Sequence, residues 1–207
     1  KKISYSGLRY KREDRWANAV KAVISAFNDF GYHISGLNFT ILSEIPADAG
    51  LGTPNALKTA TALILRKMFA PKLTKSDLVD ILEHANVQHL NTYAHRADIL
   101  CALFAKSNHC VRTDHRKKTA DIYPFPIEGH SIILTDSRVP RIIAREELTA
   151  RLDECVEAYE LVKKQPDMPK NMMHLTEKML EEIDIPESVR RRVTYIVRES
   201  LSVDEAV

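Results

Sequence analysis

A turn containing two glycines, placed between an apolar segment and a helix-like segment, is where the sequence first indicates chemistry. Residues 46–57 are Pro-Ala-Asp-Ala-Gly-Leu-Gly-Thr-Pro-Asn-Ala-Leu. Glycine adopts positive φ and lets the backbone approach a ligand closely. A turn that opens into a helix presents free N–H groups and the positive end of the helix dipole, which favour phosphate. The alternative is an ordinary strand–turn–helix connection, since Gly-x-Gly alone is a weak motif. The residues assigned to a phosphate site are Gly50, Leu51, Gly52, Thr53 and Asn55.

Histidines are the second group of residues with possible chemistry. Five of them lie between residues 84 and 115, namely His84, His89, His95, His109 and His115. Their spacings fit no compact ligand pattern, and Cys110 alone is adjacent to one of them. Scattered surface histidines are therefore the favoured interpretation, and no metal ligands are assigned.

The spacing of apolar residues predicts the elements that hold the glycine turn. Residues 37–45 are largely apolar and extended in character, which predicts a strand before the turn. Apolar residues then recur at helical spacing at Leu57, Ala60, Ile64 and Met68. A helix over residues 55–68 should follow, and Pro54 suits its first turn.

The rest of the chain mixes strand and helix patterns. Strands are predicted at Lys1–Tyr10, Asn108–Thr113, Ala120–Pro124 and Ser131–Asp136. Helices are predicted over residues 15–30, 145–164, 171–182 and 187–200, and after a capping box formed by Thr74 and Asp77. Strands first interleaved with helices and then followed by helices predict an α+β fold, a sandwich in which helices cover a mixed or antiparallel sheet.

Residues 46–57 resemble the phosphate-binding motif of the GHMP kinases, Pro-x-x-x-Gly-Leu-(Gly or Ser)-Ser-Ser-Ala-Ala before a helix. Other segments are similar to galactokinases within that superfamily. Residues 15–24 resemble the Trp-x-Asn-Tyr-Val helix, residues 136–141 an Asp-x-x-Val-x-Arg strand, and residues 191–199 a late helix. These matches run in the family's order along nearly the whole chain. The resemblance implies a GHMP-kinase-like fold, ATP as co-substrate and transfer of phosphate to a sugar hydroxyl.

The same resemblance places the family's catalytic aspartate at Asp98. Ala85-Asn86 and Asp98 reproduce the spacing from an Ala-Glu pair to the aspartate of Gly-Ile-Met-Asp. In phosphoryl transfer such a carboxylate orients the acceptor hydroxyl and can take its proton. The alternative is that Asp98 is an N-cap for the apolar run that follows it. The two roles are compatible, and both stay open.

Departures from the family pattern fall on the metal and sugar positions. Pro54 replaces a hydroxyl associated with magnesium, and Asn86 replaces the glutamate that helps to hold the ion. Because Mg²⁺ prefers hard oxygen ligands, the metal site should be weakened, with Thr53 as a substitute ligand. His95 replaces a glycine, so its ring should fill sugar space and hydrogen-bond Asp98. Leu148 replaces a tyrosine that faces the sugar.

Trp16 is the only tryptophan. Large aromatic residues are commonly buried in a core, which is one interpretation. The resemblance places this helix beside the nucleotide base, which makes stacking on adenine the other.

The resemblance covers the middle of the galactokinase chain. The 207 residues carry neither the front Gly-Glu-His segment nor the glycine-rich segment near the family's C-terminus. We therefore expect residues 1–207 to be one galactokinase-like region that joins the end of the N-terminal part to the start of the C-terminal part of an incomplete fold. A fragment and a reduced relative both remain possible. The expected function is a sugar kinase with degenerate magnesium and sugar positions, or an inactive sensor that binds sugar or nucleotide.

Composition limits which compartment and which partners we expect for this protein. The net charge of +2 gives no reason to expect nucleic acid. No apolar run is long enough for a signal core or a membrane span. Three cysteines at irregular spacing indicate a reduced, cytoplasmic protein. The expected partners are a small-molecule sugar and a nucleotide.

Overall fold

The computed structural model describes residues 2–46, 50–114, 119–135, 141–170 and 172–206, with residues 141–149 described by their backbone alone. The chain divides into two compact units, Lys1–Ile133 and Leu134–Val207. The helices and strands of the first unit are α1 (Ala17–Asp29), α2 (Thr53–Phe69), α3 (Lys75–His84), a π-helical turn (Ala85–His89), α4 (Arg96–Phe104), β1 (His109–Asp114) and β2 (Thr119–Pro124). Those of the second unit are α5 (Arg141–Lys163), α6 (Glu177–Glu181) and α7 (Glu187–Glu205).

The core of the first unit lies between its four α-helices. Helix α2 packs against α1, α3 and α4, and α3 also contacts α1 and α4. The largest fully buried apolar side chains include Phe27, Leu65, Ile81 and Leu100. Each such side chain contributes about 1.5–3 kcal/mol when it leaves water. This packing fixes the start of α2 relative to the start of α4.

Two of the predicted strands form an antiparallel pair beside α4. The register runs from His109 opposite Pro124 to Asp114 opposite Thr119. The predicted strands at 108–113 and 120–124 are therefore confirmed. Helices together with this small antiparallel sheet agree with an incomplete α+β fold.

The predicted capping box is also confirmed. Asp77 N donates to Thr74 Oγ1 at 3.1 Å, and Thr74 N donates to Asp77 Oδ2 at 2.7 Å. Two backbone donors at the start of α3 are thereby satisfied by side chains.

Four predicted elements are wrong. Residues 2–10 contain a 3₁₀ turn at Tyr5–Gly7, and residues 37–45 and 131–135 have no strand partner among the described residues. Alternating apolar residues show only that one side of a segment is buried; a strand also needs a neighbour for its backbone hydrogen bonds. The helix predicted over 171–182 is interrupted because Thr176 is extended and caps the short helix α6, accepting from Met179 N at 3.3 Å. Lys1, Asp136 and Asn171 lie outside the described residues.

The second unit has a core of its own. Helix α7 packs against α5 and α6, around the buried side chains of Val162, Leu180 and Val193. No helix among the residues that the structure describes is both long and apolar enough to cross a membrane.

Candidate functional site

The glycine turn has a backbone that glycine adopts readily. Gly50 has φ of 85° and Gly52 has φ of 71°. Helix α2 begins at Thr53, and the Gly52 carbonyl accepts from Asn55 N at 2.9 Å and Ala56 N at 3.0 Å. A Cβ on Gly52 would meet nothing within 4 Å, so glycine is required there by the positive φ rather than by space. Phosphate binding by Gly50–Thr53 remains a prediction, and residues 47–49 of the turn lie outside the described residues.

Asp98 lies beside the first turn of α2. Asn55 Nδ2 donates to Asp98 Oδ2 at 2.7 Å, and 54% of the Asp98 side-chain surface is exposed. Helix α4 begins at Arg96 with His95 as its N-cap. Asp98 therefore lies in the first turn, and the alternative interpretation of Asp98 as the N-cap is wrong. An accessible carboxylate therefore stands next to the helix N-terminus that the glycine turn opens.

A buried lysine lies one helical turn after Asn55. Lys58 is 4% exposed, and its Nζ donates to Oδ1 of the fully buried Asn86. Asn86 Nδ2 in turn donates to Ala94 O at 2.8 Å. Burial lowers the pKa of Lys58 to about 8, although the charge of nearby Asp98 acts in the opposite direction. At neutral pH this group is an ammonium close to the Asp98 carboxylate.

Two buried oxygens on α2 complete the polar face. Asn55 Oδ1 and Thr59 Oγ1 have no hydrogen-bond partner among the residues that the structure describes. Buried polar atoms are normally bonded to protein, water or ligand. The polar face of α2 that comprises Asn55, Lys58 and Thr59 therefore has hydrogen-bonding capacity to spare.

Comparison with known proteins shows what the chain is similar to. Residues 18–106 match the model of the GHMP kinases N terminal domain. This part of the chain therefore resembles a GHMP kinase. The chain is also 66% identical, over 207 residues, to a protein of Treponema pallidum (strain Nichols) that bears the name "Putative galactokinase"; the match covers 100% of this chain and 52% of that protein.

More distant relatives match nearly the whole of this chain. The galactokinase of Thermotoga maritima is 27% identical over 199 residues, which are 96% of this chain and 55% of that protein. The crystal structure of Lactococcus lactis galactokinase complexed with galactose has the same fold, with a TM-score of 0.79 and 18% identity. That match covers 99% of this chain and 53% of the other. The chain thus spans about half the length of these relatives.

Among the described residues around Asp98, the oxygen donors do not fit a magnesium ion. Asn86 uses its amide oxygen to bind Lys58, and Pro54 has no side-chain oxygen. Asp98 is a carboxylate, but one of its oxygens already accepts from Asn55. A buried ammonium also repels a divalent cation. Thr53 alone does not replace the hard oxygen ligands that Mg²⁺ requires.

His95 stands where the GHMP kinase motif has a glycine, and its backbone has a conformation typical of glycine. Its φ of 55° and ψ of 39° lie in the left-handed region, which glycine adopts without strain. Its Nδ1 lies 3.6 Å from Asp98 Oδ2, which is longer than a hydrogen bond, so the predicted hydrogen bond is not formed at that distance. The ring nevertheless stands beside the carboxylate.

Trp16 is not a core residue. It is 61% exposed and lines a groove of about 460 Å³ together with Ile24 and Phe39. The described lining of this groove includes neither Gly50–Thr53 nor Asp98. Stacking of Trp16 on a nucleotide base stays a prediction.

The five histidines have different surroundings. His84 and His89 both contact Asp29, at 2.8 Å and 2.6 Å. His95 is near Asp98 and His109 lies on β1, while His115 is outside the described residues.

Sequence reasoning missed Lys58. A signal was present, because Lys58 is in helical register with the buried residues of α2. Those residues are Asn55, Thr59, Ala62 and Leu65. A lysine on the buried side of a helix is a candidate for a functional site.

Proposed function

We propose that this chain forms the phosphate- and acceptor-binding part of a galactokinase-like sugar kinase, which transfers the γ-phosphoryl group of ATP to a sugar hydroxyl. The observation that carries this proposal is the 2.7 Å hydrogen bond from Asn55 to Asp98. In-line transfer requires acceptor and phosphate to meet. A carboxylate held at the helix N-terminus that would bind the phosphate satisfies that requirement.

Each residue then has a separate role. The N–H groups of Gly50, Leu51, Gly52 and Thr53 bind phosphate, and Asp98 orients the acceptor hydroxyl. Asn55 positions Asp98, and Trp16 stacks on the nucleotide base. Residues 1–207 act as one galactokinase-like region of a longer fold. The free cysteines Cys101, Cys110 and Cys155 support a reduced, cytoplasmic location.

A second candidate is a catalytically inactive protein that binds nucleotide or sugar as a sensor. The bond between Lys58 and Asn86 favours it, because a buried ammonium replaces donors for the metal. The His95 ring beside Asp98 favours it for galactose in particular.

A coupled ADP-release assay on the complete gene product separates the two candidates. Galactose and a panel of other hexoses are supplied with ATP, and Asp98→Asn is the control. Sugar-dependent ADP release that Asp98→Asn abolishes would support the kinase. We expect no measurable release with galactose itself. ATP binding without release for any hexose would overturn the kinase proposal and support the sensor.

Trp16 has its own test within this proposal. If its indole stacks on the base, Trp16→Ala should weaken ATP binding at least about tenfold, while Trp16→Phe keeps most of the affinity. Equal ATP affinity in Trp16→Ala and the wild type would remove Trp16 from the site.

A further inference from the structure

Asp29, His84 and His89 meet at one point on the surface of the first unit. His84 Nε2 lies 2.8 Å and His89 Nε2 lies 2.6 Å from Asp29 Oδ2. The three potential ligand atoms all lie within 4.8 Å of one another. Each residue ends its own element, since Asp29 is the last residue of α1, His84 of α3 and His89 of the π-helical turn. A role for this cluster does not depend on the proposed kinase function.

The π-helical turn brings the two histidines together. In an α-helix, residues five apart are rotated by about 140° from one another and face different directions. A π-helix bonds residue i to residue i+5, so residues five apart stack on the same side. The rings of His84 and His89 accordingly stand 5.6 Å apart between centroids. Such turns occur frequently at functional sites.

Packing holds the cluster in place. The edge of Phe30, next to Asp29, contacts the His84 ring at 5.4 Å between centroids. Ala85 and Asn86 in the π-helical turn are fully buried. The side chains of the cluster themselves are partly open to solvent, between 27% and 44% exposed. Buried neighbours thus hold the three residues in place, while solvent exposure of their side chains lets an ion reach them.

The donor set selects the kind of ion. The cluster offers a carboxylate oxygen and two imidazole nitrogens. Nitrogen ligands suit zinc and neighbouring transition metals, whereas Mg²⁺ and Ca²⁺ prefer oxygen alone.

We propose that Asp29, His84 and His89 form a zinc site with three protein ligands and a water as the fourth. Tetrahedral Zn²⁺ with bonds of about 2.0–2.2 Å holds its ligand atoms about 3.3 Å apart. The contacts of Asp29 with His84 and His89, now 2.8 Å and 2.6 Å, need to lengthen by about 0.5–0.7 Å, which partly exposed side chains can do by small rotations. The bound ion links the C-terminal end of α1 to the π-helical turn that carries Asn86.

The test is zinc titration of the complete, tag-free gene product after removal of metal. Calorimetry should show one Zn²⁺ bound per chain, with no displacement by excess Mg²⁺. His84→Gln and His89→Gln should each weaken binding at least about tenfold. His130→Gln, which changes an exposed histidine elsewhere in the first unit, is the matched control and should leave the affinity unchanged.

A third variant and a melting-temperature measurement test the same zinc site independently. Asp29→Asn preserves size at an exposed residue, so it gives the same comparison with little risk to the fold. Zinc should also raise the melting temperature of the wild type and of His130→Gln, but not of the cluster variants. Absence of zinc binding, or zinc binding that survives all three cluster substitutions, would overturn the proposal.

Discussion

Lys58 determines the electrostatic character of the α2 face at the scale of single residues. Its ammonium is buried next to the Asn86 amide and close to the Asp98 carboxylate. A charge taken from water destabilises a fold unless polar groups surround it. In this chain a fixed cation belonging to the protein therefore stands near the turn predicted to bind phosphate. Positive charge at that point can attract an anionic ligand without a metal ion.

Lys58 should leave a signature in the pH dependence of folding. Burial lowers its pKa from 10.5 to about 8, so between these pH values the unfolded chain binds more protons than the folded chain. The stability of the wild type should therefore rise with pH across this window, relative to Lys58→Met, by up to roughly 3 kcal/mol. Urea unfolding of both proteins at a series of pH values from 8 to 10.5 measures the difference.

The control for this experiment is Lys72→Met, which changes an exposed lysine in the same unit. The difference between wild type and Lys72→Met should not change across the window. Parallel pH profiles for wild type and Lys58→Met would contradict a buried ammonium at residue 58.

The backbone at His95 predicts an unusual response to glycine. Because its φ is 55°, any residue with a Cβ is strained there. His95→Gly should be more stable than His95→Ala by about 1 kcal/mol, after allowance for the greater freedom of glycine in the unfolded chain. Chemical denaturation of the two variants compares them directly. A less stable glycine variant would show that residue 95 does not keep the left-handed conformation in solution.

At the scale of elements, the capping box supplies a prediction about α3. Thr74→Ala removes the side chain that accepts from Asp77 N and should lower the free energy of unfolding by about 1 kcal/mol. Ser76→Ala, at an exposed position two residues later, is the matched control and should have little effect. The midpoint of urea unfolding measures both. Equal midpoints for the two variants would mean that the cap does not stabilise the folded chain.

Helix α2 shows which features could be predicted from the sequence and which could not. The prediction of a helix over 55–68 is confirmed by Thr53–Phe69, because helical periodicity and a proline in the first turn are local signals. The apolar residues used for that prediction do not mark the buried side, since Ile64 is 48% and Met68 is 57% exposed. The buried side instead carries Asn55, Lys58 and Thr59. Polar residues are buried there by tertiary contacts, which a hydrophobic pattern does not reveal.

The π-helical turn could not be predicted for a related reason. A spacing of five residues places His84 and His89 on different sides of a regular α-helix. The π-helical turn contains one more residue than an α-helical turn and is stabilised by the packing of Ala85 and Asn86. It therefore places the two histidines on the same side. Asp29 is 55 residues away from His84 along the chain, so no local pattern joins them. Asp98, in contrast, could be proposed from the sequence because the motif that it resembles is local.

At the scale of the whole molecule, the similarity to galactokinases and the geometry around α2 point in different directions. The chain covers 52–55% of the length of its galactokinase-named relatives in Treponema and Thermotoga. Within the described residues, the glycine turn predicted to bind phosphate stands close to the Asp98 carboxylate, whereas Pro54 and Asn86 supply neither a hydroxyl nor a carboxylate for magnesium. This combination predicts nucleotide binding that does not depend on the metal.

Binding of ATP by the complete gene product should therefore depend little on magnesium. Asn86→Glu alone should not restore the dependence, because the new carboxylate would pair with Lys58. The double variant Asn86→Glu with Lys58→Gln removes the ammonium and supplies a hard oxygen ligand, so its ATP affinity should rise when Mg²⁺ is added. Titration calorimetry with and without Mg²⁺ on all three proteins provides the comparison. A strong magnesium requirement in the wild type would show that Thr53 or another oxygen donor holds the ion, and that Lys58 does not take its place.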